Sequence, residues 1–186
     1  TYATTGPRIR LRFFAAADFG ATAPTSATLY DEAIAVGVPM GGELELTSAP
    51  EFLVLADKDP LGANLDRIQI VKGWLDAAGE QQEQVFDVSW SGERRPGPDG
   101  RLPAVGNTVD LATGKFTNSI GAPRLAARWR DPGYQPGQRA FYYVRVLQIP
   151  TARHSLLDAV ALGVEHAAHH PDTLQERAYS SPIWVK

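Results

Sequence analysis

No cysteine occurs in the 186 residues. That excludes a disulfide scaffold and any thiolate zinc site, and it leaves the redox compartment open. No apolar run approaches the roughly 18 residues that a membrane-spanning helix needs, and no secretory leader pattern opens the chain. Basic residues are scattered, with Arg124, Arg128 and Arg130 as the densest run and a net charge of −3. The basic stripe of a nucleic-acid binder is therefore missing, and neither nucleic acid nor a membrane span is expected as a partner. No fixed-period repeat is visible. A chain that opens on Thr1 rather than Met reads as a piece of a longer polypeptide, so cytoplasmic and periplasmic locations both stay open.

What is present is ordinary globular material, 44% apolar and 21% charged. The length suits one domain, or one domain with a substantial insertion, and is enough to bury a core without metal or disulfide staples. Period-2 alternation is the dominant signal. Ile9, Leu11 and Phe13 alternate with Arg8, Arg10 and Arg12. Leu44 and Leu46 alternate with Glu43 and Glu45, Ile68 and Ile70 with Arg67 and Gln69, and Phe86, Val88 and Trp90 with Asp87 and Ser89. Leu125, Ala127 and Trp129 alternate with Arg124, Ala126 and Arg128. Each pattern predicts a half-buried strand. The run from Phe52 to Ala56 predicts a strand covered on both faces. Residues 140–149 predict the longest strand, stopped by Pro150, and Ile183 to Val185 predict the last.

Gly/Pro-rich turns separate these runs at Asp59-Pro60-Leu61-Gly62, Pro96-Gly97-Pro98-Asp99-Gly100, Asp131-Pro132-Gly133 and Gln135-Pro136-Gly137. The expected fold is mainly β, an antiparallel β-sandwich (immunoglobulin-like or similar) with two short helical insertions. One helix is expected near 26–36, capped by Ser26 or Thr25, with Leu29, Ala33 and Val36 on its buried stripe. The other is expected near 155–164. There Ser155-Leu156-Leu157-Asp158 resembles a capping box, and Leu157, Val160, Ala161 and Val164 form the stripe. Residues 91–107, poor in apolar side chains, predict an exposed loop.

Few residues carry a chemical signal. Glu165-His166-Ala167-Ala168-His169-His170 holds two histidines at a spacing that lets a helix share a metal between them, with Glu165 as ligand or base. The helical pattern fades after Gly163, and Pro171 follows, so a solvated loop competes with Glu165, His166 and His169 as a metal set. His154 reads as a surface or packed residue. Ser155, His154 and Asp158 are neighbours at a helix start rather than a triad, and Ser155 suits a cap. Asp57, Asp59, Asn64 and Asp66 form an oxygen-rich loop without EF-hand spacing, open to a cation or to turn duty. The loop Val38-Pro39-Met40-Gly41-Gly42 lets backbone approach a ligand or another chain closely, or is a plain turn. Alternation at Trp90 and Trp129 points to core rather than to a sugar-stacking set.

Longer blocks carry a resemblance. Thr1-Tyr2-Ala3-Thr4-Thr5-Gly6-Pro7-Arg8-Ile9 resembles the strand that follows the last catalytic segment of PHP-type (polymerase and histidinol phosphatase) metallohydrolases. The chain is similar to the C-terminal part of a large bacterial family, domain-of-unknown-function family 3604. The matching stretches are residues 37–42 (Gly-Val-Pro-Met-Gly-Gly), 59–74 (Asp-Pro-Leu-Gly-Ala-Asn-Leu-Asp-Arg-Ile-Gln-Ile-Val-Lys-Gly-Trp), 106–110 (Gly-Asn-Thr-Val-Asp), 140–146 (Ala-Phe-Tyr-Tyr-Val-Arg-Val) and 175–184 (Gln-Glu-Arg-Ala-Tyr-Ser-Ser-Pro-Ile-Trp). The resemblance implies a parent whose N-terminal PHP-like barrel holds a divalent metal on His and Asp ligands upstream of Thr1. No ligand maps onto this chain. Departures fall at His154, where the family usually has an aromatic, at the His166–His170 stretch, which replaces an acidic, Pro-containing loop, and at Gly133.

Residues 1–186 are thus expected to form one C-terminal β module of a larger, metal-dependent hydrolase. The module is expected to be catalytically silent alone, without phosphoesterase activity on added manganese, zinc or iron. Its partner would be the barrel of the same polypeptide, faced by Tyr2, Thr5, Arg8, Met40, Gly41 and Gly42. Two other readings stay open. One is a tethered sandwich that binds a carbohydrate or protein. The other is an independent metalloenzyme on the C-terminal histidines.

Overall fold

A computed structural model describes residues 1–186. In chain order the elements are β1 (Tyr2–Thr4), β2 (Arg10–Ala16), α1 (Leu29–Val36), β3 (Val38–Pro39), β4 (Glu43–Leu44), β5 (Glu51–Asp57), β6 (Leu65–Leu75), β7 (Gln81–Trp90), β8 (Arg124–Arg130), β9 (Ala140–Gln148), β10 (Thr151–Ala152), α2 (His154–Leu162), β11 (Thr173–Leu174), β12 (Arg177–Ser180) and β13 (Ile183–Val185). The smaller sheet runs β3-β2-β5-β8. In the larger sheet β6 lies between β7 and β9. The other edge of β9 is shared by β12 and β13, which pair with its two ends in succession. β1 and β4 extend the sheet beyond these two. Every pairing is antiparallel except β4 with β13.

The two sheets face each other across one apolar cluster of 19 buried residues. The alternation in β2 places Ile9, Leu11 and Phe13 inside it and leaves Arg10 and Arg12 in solvent. In β9 the even-numbered residues Tyr142, Val144 and Val146 point inward and the odd-numbered ones are half-buried on the other face. Phe52 lies at the centre, 5.5 Å from Phe13 and 4.7 Å from Tyr142 between ring centroids. The mainly β sandwich with two helices is therefore what this sequence forms. A bulge between Ile68 and Gln69 pairs Ser89 and Asp87 with them and skips Val88. The alternation of β7 is thereby broken, and Trp90 ends half-buried with its indole N–H on the Arg94 carbonyl, 2.7 Å away.

Both helices depart from the sequence expectation. α1 begins at Leu29, not Ser26, because residues 23–26 close a turn in which Ser26 N–H donates to the Ala23 carbonyl. Leu29 and Ala33 are buried beneath it with Phe14, Phe19 and Leu53, but Val36 is exposed. The N-cap of α2 is Arg153, and Ser155 is the second helical residue rather than the cap. Its buried face is Leu156 and Ala159, one position away from the expected stripe, while Leu157, Val160 and Val164 stay exposed. Six of the nine helical residues are apolar, so periodicity selects no single face.

One charged group on the small sheet gives a pH prediction. Glu51 is buried at the end of β5, accepting from the Phe19 N–H at 2.8 Å and from Arg128 Nη2 at 2.9 Å, with Arg130 3.4 Å away. Burial pushes its carboxyl up, but the hydrogen bonds from Arg128 and Phe19 and the charges of Arg128 and Arg130 outweigh burial and hold it below its ordinary value. A depressed folded-state value means that the unfolded chain binds the proton first. The stabilisation is then complete above about 4.5, the ordinary Glu value, and is lost as pH falls further. Glu51→Gln should flatten that acid limb of the stability curve in urea titrations from pH 6 to 2. An unchanged slope would rule this origin out.

Candidate functional site

The residues expected to face a partner fall into two groups. Thr1 and Gly41 meet at the corner between β12 and β13. Ser181 N–H donates to the Thr1 carbonyl at 2.8 Å, and Gly41 N–H donates to the Pro182 carbonyl at 2.9 Å. Gly41 has a φ of +90°, a conformation open to glycine and strained for a side chain. The close approach that this loop makes is to its own chain. Tyr2 is exposed beside the corner, and Met40 is half-buried against the sandwich core with its N–H on the Phe13 carbonyl. Thr5 and Arg8 lie apart from it. The Thr5 hydroxyl bonds to Glu176 and accepts the Arg177 N–H. The Arg8 backbone N–H is held by Asp59 at 2.8 Å while its guanidinium extends into solvent.

Next to the corner, a groove of about 770 Å³ opens on the outer face of the larger sheet. Its floor is Gly73, over which the Phe141 ring lies so closely that a Cβ there would fall 2.3 Å from the ring. Leu75 and Trp184 form its apolar walls, and Glu83, Arg139 and Lys186 line it with charge. Trp184 stands 45% exposed, 5.3 Å from Phe141, and its N–H donates to the Gly42 carbonyl. That backbone bond ties the strand bearing Trp184 to the Val38–Gly42 loop, although no residue of the loop lines the groove. Sequence alternation pointed to Trp90 and Trp129 as core rather than as a sugar-stacking set, and Trp129 does pack against the core. The accessible indole is instead Trp184, whose outward direction is readable only once Ile183 and Val185 are known to be core.

The oxygen-rich loop is committed to internal partners. Asp57 meets Arg124 at 2.6 Å, Asp59 accepts from Arg8 and Leu61, and Asn64 bonds Asn118 and Ile120. Asp66, fully buried, accepts from Arg94 at 2.6 Å, Gln175 at 2.9 Å and Arg67 at 3.1 Å. Arg94 reaches it from the 91–107 excursion, so one end of that exposed segment is anchored. Glu165, His166 and His169 do not converge. Glu165 is exposed, His169 packs on His170 with ring centroids 4.1 Å apart, and His166 turns toward Ser155 and Asp172. No three or more His, Asp or Glu side chains are placed to hold a metal ion. The divalent metal that the resemblance implies does not fit the residues of this chain.

The architecture defines a two-sheet antiparallel β-sandwich with a surface groove. Compared with known protein families, residues 1–186 match the family described as "Protein of unknown function (DUF3604)", and the chain belongs to it. No curated protein and no solved structure matches the chain. No helix is long and apolar enough to cross a membrane.

Proposed function

We propose that this chain is the accessory β module of a PHP-like metal-dependent hydrolase. In this reading it supplies no metal ligand, docks on the barrel of the same polypeptide and shapes the cleft in which an ester, in first place a phosphoester, is hydrolysed. The observation that carries the reading is an exposed apolar groove on the strand whose Trp184 backbone N–H is bonded to the Gly42 carbonyl, two residues from the corner that holds Thr1 and Pro182. A large, outward Trp beside the half-buried Phe141 is what an interface core needs. The test is Trp184→Asp in the polypeptide that carries both domains. The expected result is faster proteolysis between the domains and a severalfold loss of metal-dependent phosphatase activity, with the melting of the module unchanged. Activity and protease resistance equal to those of the unaltered protein would overturn the docking.

The same groove favours a second reading, a carbohydrate site in which Trp184 stacks on a sugar face. Oligosaccharide titration followed by tryptophan fluorescence distinguishes the two. Saturable quenching that Trp184→Ala abolishes supports the carbohydrate, and its absence supports docking.

A further inference from the structure

Three side chains between β10 and β11 form an arrangement that the hydrolase reading does not use. Ser155 Oγ lies 2.9 Å from His166 Nε2, and His166 Nδ1 lies 2.9 Å from Asp172 Oδ1. An ionised carboxylate only accepts hydrogen bonds, so a neutral imidazole paired with it carries its proton on Nδ1. The Nε2 lone pair then faces the serine, and the hydroxyl donates to it. This is the order of a nucleophile, its base and the group that orients the base. We infer that Ser155, His166 and Asp172 form a nucleophilic serine site that hydrolyses small carboxylic esters.

The local fold supports the placement. Thr151 and Ala152 pair with Leu174 and Thr173, and Arg153 N–H donates to the Asp172 carbonyl at 2.9 Å. That short ribbon fixes Asp172 beside the start of α2. Gly163 ends the helix in the left-handed conformation, Val164 N–H bonds back to the Ala159 carbonyl, and the chain returns with His166 against the first helical turn. The His166 side chain is 11% exposed, which limits its rotation, while the Asp172 side chain is 49% exposed. Ser155 is half-buried.

The same turn offers donors for a developing oxyanion. The backbone N–H groups of His154 and Ser155 have no acceptor within the protein. Side chains of a helix tilt toward its N-terminus, so Ser155 Oγ lies on the side toward which these free N–H groups point. The positive end of the helix dipole favours negative charge there. Neither the groove at Trp184 nor the shallower one beside Leu157 includes Ser155. Neither groove can take the acyl chain of an ester held at Ser155, and the substrate proposed is a short acyl ester.

The reaction balances without a metal or redox partner. Ser155 Oγ bonds to the ester carbonyl carbon as its proton passes to His166 Nε2. The carbon–alkoxy bond then breaks, and that proton leaves with the alcohol. Water adds to the acyl-serine, giving a proton to His166. The bond from the acyl carbon to Oγ breaks, and the proton returns to Oγ as the carboxylic acid departs.

The test begins with the unaltered protein. It is treated with a fluorophosphonate probe, and the modified residue is located by peptide mass spectrometry. In parallel, p-nitrophenyl acetate hydrolysis is followed at 405 nm. We expect the probe on Ser155 and at least about a hundredfold loss of hydrolysis in Ser155→Ala and His166→Gln, the range that general base catalysis supplies. Asp172→Asn, nearly isosteric, should lose comparable activity with little change in melting temperature. Ser155→Cys should be alkylated by iodoacetamide in a His166-dependent way. An unaltered protein left unlabelled at Ser155, or hydrolysis that survives Ser155→Ala, would overturn the inference and leave these residues as a latch on the 163–172 loop. Trp184→Asp should not change labelling, so the failure of this site is separable from the failure of the docking reading.

Discussion

Asp131→Ala should lower the unfolding free energy by about 3–5 kcal/mol, the range for stranding one partner of a buried ion pair. Asp131 closes β8 at the turn with Pro132 and Gly133, and no part of its carboxylate side chain is exposed. It accepts from Lys72 Nζ at 2.6 Å, from the Tyr142 hydroxyl at 2.7 Å and from the Gly133 N–H at 2.8 Å. Burial, then the hydrogen bond to Asp131, pushes the Tyr142 phenol far upward, so it remains a donor throughout the usable pH range. Truncation leaves an ammonium only 3% exposed with the Gly133 carbonyl as its remaining polar partner, beside the Trp74 ring. It also leaves a buried hydroxyl without its acceptor. The control is the triple change Asp131→Leu, Lys72→Met, Tyr142→Phe, which removes charge and partners together. It should recover most of the loss, since apolar replacement of a whole buried network is often neutral. Urea unfolding of the variants measures both. A loss below about 1 kcal/mol for Asp131→Ala would show that water reaches Lys72 at the level of a surface pair.

Phe52→Ala should cost a similar amount by a different route, about 3–5 kcal/mol from lost burial and the cavity left behind. Phe52 is fully buried on the inner face of β5. Its ring meets Phe13 from β2, Tyr142 from the opposing sheet and, at 5.8 Å, Trp129 from β8. Three aromatic neighbours cannot collapse into the space without leaving their own contacts. For a chain of this size the melting temperature should fall by roughly 10 °C, at a few degrees per kcal/mol. Phe52→Leu, which keeps most of the volume, should lose less than half as much. Equal losses in both variants would place the cost in the aromatic contacts rather than in the cavity.

The sandwich was legible because its signal is local. Ile9, Leu11 and Phe13 declare one face by alternation with arginines, residues 140–149 declare a strand by their aromatic and branched content, and the Gly/Pro turns separate the strands. Helix existence was legible for the same reason, but helix faces were not. In α2 both Leu156 with Ala159 and Leu157 with Val160 fit a helical period, and only tertiary packing chooses between them. The polar clusters were hidden because their partners are distant along the chain. Asp131 reads as a turn former until Lys72 is known to be opposite it, and Asp66 reads as a loop oxygen until Arg94 and Gln175 arrive. Ser155 was read as a cap because caps are decided within four residues, whereas His166 and Asp172 reach it only after the chain has turned back. The groove was missed because Trp184 sits in a three-residue strand too short to show its period.

The arrangement around β9 sets the order in which this protein can be completed during synthesis. One edge of that strand waits for residues 177–185, since β12 and β13 both bind there. Until those residues leave the ribosome, β9 presents an open row of backbone donors and acceptors, and β1 and β4 have no strand to join. The nascent chain is therefore a sticky half-sheet from the completion of β9 until β12 and β13 arrive. Open edges of this kind template pairing with other chains, and pairings between distant segments form slowly. A chain cut before Arg177 would lack both covering strands at once, so it should aggregate rather than persist as a smaller folded form.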